Sequence, residues 1–237
     1  MTKISKRGYD EKDKIYFSPN ELLRLHKAHE EIKWLLDRDY RIDSVITFVC
    51  NKYQFSLRQR DALKRSTSSS KNEKTRKFKE ISTNELNNCT LNIDGFNLII
   101  GLEVALSGGT LILGNDNYIR DLAGLRGTYR LIDKTELAID YIYKFFKERN
   151  LKQVNFYIDS PVSNSGRLKM KILEYAEKYS IPTEVNLVDN ADVCLEKLDY
   201  VVSGDAAILD KCISHVNVVK DIIAEYIKDY KVVDFTK

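Results

Sequence analysis

Asp94, Asp159 and Asp205 each close a short apolar run, in LNIDGF, VNFYID and YVVSGD. A fourth run, TEVNLV, leads straight into DNAD and supplies Asp189 and Asp192. If these runs are parallel strands, their carboxyl ends share one edge of a sheet, where open α/β folds keep their functional crevice. Capping of the next helix or a turn explains any one such aspartate. Three or four on one edge repel one another, and must ionise poorly or bind cations. Donors that are all oxygen, without His or Cys, favour Mg²⁺ or Mn²⁺ over zinc. Such an ion polarises phosphoryl oxygens and makes a nucleophile of water in phosphodiester cleavage. Carboxylates that share an ion should converge to within about 4–6 Å. Asn97, one helical turn after Asp94, is expected to face the same crevice.

Other chemistries fit less well. Ser160, Ser163, Asn164 and Ser165 follow Asp159, yet no His or Lys sits beside them to activate a serine. Their hydroxyls are expected to cap a helix starting near Gly166 and to touch a substrate phosphate. Gly108–Gly109 before TLILGN lacks the Lys and Ser or Thr of a P-loop and reads as a turn. Cys50, Cys89, Cys194 and Cys212 form no CxxC pair, and His26 and His29 stand at i, i+3 without a ligand frame. Reduced thiols and an N-terminus with no apolar stretch after its basic residues point to the cytoplasm.

Three regions should position these residues. In residues 1–65, Leu22, Leu25, Ile32, Leu35 and Leu36 lie at helical spacing behind Ser18 and Pro19. Two shorter helices come next around Gln54–Phe55, the second capped by Ser56 and carrying Arg58, Arg60, Lys64 and Arg65. They resemble a helix-turn-helix, whose basic residues would grip phosphates; a plain three-helix bundle explains the same pattern. Residues 66–89 lose the apolar period and read as a basic linker. From residue 90 to 237, strand-like runs alternate with helical stretches, which implies a mostly parallel sheet covered on both faces. Charge tracks these divisions. The total of 38 Lys and Arg against 35 Asp and Glu nets +3, but residues 1–85 carry +7 and residues 86–237 carry −4. Nine of the basic residues fall between Arg58 and Lys79, against Asp61 and Glu73. Such asymmetry points to a polyanionic partner, read as nucleic acid and not membrane.

IDGFN, FYIDSP, DNAD and YVVSGD occur in the order seen in PIN-like nucleases, and the DGxN form resembles the NYN branch. From about Leu22 onward, IDGFNLIIGLEVALSGG, RDLAGLRGTYR, DSPVSNSG and SGDAAILD also resemble an uncharacterised prokaryotic family. In that family a helical region with an RQRDALKR-like segment precedes a PIN-like domain. The resemblance implies a three-layer α/β/α sandwich and a metal-dependent ribonuclease. It implies that Asp94 and Asp159 are strand-end ligands, Asn97 a polar neighbour, Asp192 or less so Asp189 the late acid, and Asp205 the last-strand acid. Ser203 stands where the family has Thr. Asp116 and Asp121 are the candidates for a further helix acid. Arg120, Arg126 and Arg130 belong to an insertion without a generic counterpart, either phosphate-gripping or solvated. The expected catalytic and metal-binding set is Asp94, Asp159, Asp192 and Asp205, with Mg²⁺ or Mn²⁺ as cofactor and RNA as partner. Asn97, Ser160, Ser203, Arg120, Arg126, Arg58, Arg60, Lys64 and Arg65 are expected on the substrate. The rival is a catalytically silent nucleic-acid-binding or regulatory protein.

Overall fold

The computed structural model describes residues 6–124 and 127–236; Arg126 lies outside them. A one-turn helix α1 (Asp13–Tyr16) precedes α2 (Pro19–Leu36), α3 (Ile42–Tyr53) and α4 (Leu57–Ser66). Ser56 and Gln59 form the reciprocal capping box of α4, and Gln54 makes the left-handed turn before it. The apolar faces of α2, α3 and α4 do not close a core alone. Leu25, Ile32, Val49 and Leu63 pack with Ile112, Leu122, Val233 and Phe235 from beyond residue 110.

Residues 66–89, expected as a linker, contain helix α5 (Ser70–Lys79), strand β1 (Glu80–Ile81) and a 3₁₀ turn (Thr83–Glu85). Ser69 caps α5 through the Asn72 N–H, and Arg76 anchors the helix because its guanidinium is buried among carboxylates.

The remaining elements are β2 (Thr90–Asp94), α6 (Gly95–Leu106), β3 (Thr110–Leu113), β4 (Ile119–Asp121), α7 (Thr135–Glu148) and β5 (Gln153–Asp159). They continue with α8 (Ser165–Tyr179), β6 (Thr183–Val188), α9 (Ala191–Leu195), β7 (Val201–Val202), α10 (Ala206–Lys211), β8 (His215–Val216), α11 (Val218–Tyr226) and β9 (Lys231–Asp234). The main sheet has the order β1-β8-β7-β2-β5-β6, with all its pairs parallel. TLILGN, expected among its strands, instead forms β3 of a second sheet ordered β4-β3-β9.

Helices α6, α7, α8 and α11 share the large core on one face of the main sheet. Ten of the twelve α6 residues are buried, as a helix apolar all round requires. The opposite face is thinner, with Ala191 and Leu195 of α9 and Ile208 of α10 meeting Val201, Tyr157 and Val188. This is an α/β fold with helices on both faces, compatible with a three-layer sandwich. Among the described residues no helix is long and apolar enough to cross a membrane.

Candidate active site

The chain runs outward from β2 to β5 and β6, then returns to the other flank of β2 as β7. The gap between β2 and β7 is therefore the switch point at which open α/β sheets form a crevice. Strand periodicity decides which side chains reach it. In β2 and β5, Ile93, Phe156 and Ile158 enter the large core, which turns Asp94 and Asp159 toward the face covered by α9 and α10. Gly95 lets β2 bend directly into α6: a Cβ there would stand 2.9 Å from Ile158 Cγ1 and 3.3 Å from the Tyr157 carbonyl oxygen.

Asp94 is buried and its two oxygens are both engaged. Oδ1 accepts the Asn97 N–H at 3.1 Å, capping α6, and Oδ2 accepts the Ser203 hydroxyl at 3.0 Å. Ser203 Oγ in turn accepts the Asp205 N–H at 3.0 Å, and Asn97 Oδ1 accepts the Gly204 N–H at 2.7 Å. Asp205 caps α10 through the Ala207 N–H at 2.7 Å. Asp159 accepts the Ala191 N–H at 2.8 Å, which fixes the start of α9 and with it Asp192. Ser160 is exposed, its hydroxyl 3.5 Å from the exposed Asp189.

These carboxylates act on one another through space. Burial, reinforced by the charges of Asp192 and Asp205, pushes Asp94 up to about 7 against the hydrogen bonds of Asn97 and Ser203. Asp192 is raised too, by partial burial, then by Asp205 and Asp159, then by Glu196. Glu196 was missed in the sequence, although its i, i+4 spacing from Asp192 on a helix was a usable signal. It is paired with Lys211 at 2.5 Å. Among the described residues no three Asp, Glu, His or Cys side chains gather closely enough to hold a metal ion. The four acids expected to converge on one ion, Asp94, Asp159, Asp192 and Asp205, therefore line one edge without closing into a shared site.

The raised carboxyl makes stability depend on pH. Asp94 holds its proton to about 7, above the ordinary 3.8, so the unfolded chain releases a proton that the folded chain keeps. Its contribution is full below about pH 4 and is lost as pH rises through 7, by roughly 4 kcal/mol at full ionisation. Urea unfolding of chelator-treated protein should show this decline, and Asp94→Asn should flatten it.

A cleft of about 730 Å³ opens between the helical region and this edge. Lys64, Arg65 and Tyr40 line one wall, with Asn97, Gly204 and Asp205 opposite. Several basic residues expected on substrate are engaged elsewhere. Arg58 pairs with Asp13 and donates to the carbonyls of Gly8 and Leu122. Arg60 donates to the Phe55 carbonyl, and exposed Lys64 pairs with Asp43 at 2.6 Å. Arg120 is buried against Asp116 and Gly204, neither solvated nor presented to a phosphate. Asp116 is the partner of Arg120 and Arg76, away from the acidic edge's hydrogen bonds. Asp121 accepts the Ala123 N–H and lines the cleft. Arg130 is exposed.

Residues 83–221, more than half of the chain, match the family model described as a domain of unknown function, DUF5616. The chain belongs to the DUF5616 family. Ahead of its DUF5616 region, residues 24–79 match the model described as a protein of unknown function, DUF434, so α5 falls with the helices before it. This DUF5616 chain is 35% identical over 209 residues to the uncharacterized protein MJ0935 of Methanocaldococcus jannaschii, covering 88% of this chain and 99% of the relative. No solved structure matches it.

Proposed function

We propose that this protein is a PIN-like, metal-dependent nuclease that hydrolyses RNA phosphodiesters at the carboxyl edge of its main sheet. The observation that carries this reading is the link from buried Asp94 through Ser203 Oγ to the Asp205 N–H, which joins two acid-bearing strand ends beside the switch point. Like charges delivered there by separate strands favour a divalent cation, and Mg²⁺ or Mn²⁺, when bound, would polarise the phosphoryl oxygens and acidify water. Asp94 would be its first ligand, and Asp192 and Asp205 would have to close on Asp94 as the ion binds, with Asp159 acting through the start of α9. The chain's own residues do the positioning: Ser203 fixes Asp94, and Asn97 fixes the peptide before Asp205. A cytoplasmic setting suits the four free cysteines.

One observation favours the rival, a catalytically silent nucleic-acid-binding protein. Asp94, Asp159 and Asp205 each accept the N–H of a helix start, which is sufficient reason for an aspartate there. Cleavage of labelled single-stranded RNA with Mn²⁺, compared between wild type and Asp94→Asn, separates the two. Binding that persists without cleavage in either protein removes the enzyme reading.

On this reading Arg65, on the cleft wall, keeps its expected role as a phosphate contact, whereas Arg58 becomes a structural cation. Arg65→Met should weaken RNA binding and shallow the dependence of log K on log salt by about one charge, read by fluorescence anisotropy. Arg58→Met should instead lower the melting temperature and leave RNA affinity as it was, because its guanidinium is committed to Asp13.

A further inference from the structure

We propose that Arg120 is a positioning residue for the acidic edge, and that Arg76 of the helical region secures it through one shared carboxylate, Asp116. The inference rests on the role proposed for Asp94 and Asp205. Arg120, in β4, donates from Nε to the Gly204 carbonyl at 2.6 Å, one residue before Asp205. Its terminal nitrogens grip Asp116 Oδ1 at 2.8 Å and Oδ2 at 2.5 Å. Asp116 Oδ2 also accepts Arg76 Nη1. Arg76 continues to Asp210 at 2.7 Å through Nε, and to the Ala206 carbonyl at 3.4 Å through Nη2. The two guanidiniums therefore hold the chain on both sides of Asp205.

The loop has no slack for these contacts to be incidental. The Gly204 N–H is taken by Asn97 and its carbonyl by Arg120, so the peptides flanking this residue are tied one to α6 and the other to β4. A Cβ at Gly204 would lie 3.1 Å from the Ile119 carbonyl oxygen and 3.3 Å from Asn97 Oδ1. The side chains of Asp116, Arg76 and Arg120 are 0%, 3% and 6% exposed. Burying three charges is a poor way to glue elements together, since apolar side chains of equal volume do it as well or better. An apolar cluster, however, cannot hold a carbonyl in a chosen direction, and Arg120 does so with the one nitrogen that Asp116 leaves free. The wiring also gives the helical region a task beyond contacting substrate, because α5 reaches the acidic edge through Arg76.

The test uses the full chain carrying Arg120→Lys. Lysine keeps the buried positive charge, but one ammonium cannot span the Gly204 carbonyl and both Asp116 oxygens. Amide exchange at Gly204 and Asp205 should quicken by about tenfold, while exchange in β5 stays at the wild-type rate. With RNA and Mn²⁺, kcat should fall about tenfold with KM little changed, because orientation rather than binding is lost. Arg76→Lys should move the same readouts less, and adding it to Arg120→Lys should cause less than the summed loss, because the two share Asp116 while Arg76 has its own bond to the Ala206 carbonyl. If Arg120→Lys does not fold, Arg76→Lys decides by the same exchange measurement. Unchanged exchange at residues 204 and 205 in the folded variants overturns the proposal. If wild type cleaves no RNA, the nuclease reading falls, and the exchange rates still decide whether Arg120 sets the loop.

Discussion

Asp116→Ala should destabilise the folded chain by about 3–5 kcal/mol in urea unfolding, the range expected when one partner of a buried ionic group is removed. Two guanidiniums, of Arg76 and Arg120, converge on this carboxylate, and its loss leaves Arg120 without a counter-ion and Arg76 with Asp210 alone. Asp210 and the carbonyls of Gly204 and Ala206 remain, but they bind nitrogens that Asp116 does not. The effect should also carry a pH signature. Burial alone would raise Asp116; Arg120 and Arg76 overturn this and leave it below the ordinary 3.8. Its stabilisation is thus present above the ordinary carboxylate range and lost only as pH falls below it, the opposite direction from Asp94. Asp43→Ala, which frees the exposed Lys64, serves as the control and should leave the unfolding midpoint nearly where it was.

Asp94→Asn should reduce RNA cleavage on the order of a hundredfold to a thousandfold, comparable to removing a group that stabilises charge in a transition state. Asparagine caps a helix about as well as aspartate, so the Asn97 N–H keeps an acceptor and α6 its start, while the amide nitrogen turns the Ser203 hydroxyl from donor to acceptor. The substitution removes a charge that burial disfavours, so the variant should be no less stable than wild type at pH 8, and more so without divalent cation. Lost activity together with gained stability marks a residue retained for function rather than for the fold.

The acidic edge was legible because two local rules coincide on it. A strand buried by a crossover reads as an apolar run, and the aspartate that ends it caps a helix start. Asp94, Asp159 and Asp205 satisfy both rules. The features that sequence could not show depend on partners far away along the chain. Arg58 looked like a phosphate-binding residue until Asp13, 45 residues earlier, appeared against it. Arg76 looked like linker charge, yet its carboxylates lie 40 and 134 residues on. In the same way TLILGN has the texture of a main-sheet strand, and only its pairing with Lys231–Asp234 places it in the second sheet. Of the nine basic residues between Arg58 and Lys79, six are therefore committed to contacts within the chain. Arg65, Lys71 and Lys74 are exposed, whereas Arg58, Arg60, Lys64, Arg76, Lys77 and Lys79 make specific contacts within the chain.

The central claim is that this acidic edge performs metal-dependent hydrolysis. The single-turnover rate of cleavage of end-labelled single-stranded RNA, measured against Mn²⁺ concentration for wild type and Asp94→Asn in parallel, tests it most directly. The rate should rise to saturation with Mn²⁺, vanish with chelator, and be lost in Asp94→Asn. Cleavage that ignores chelator, or equal rates in the two proteins, would contradict it.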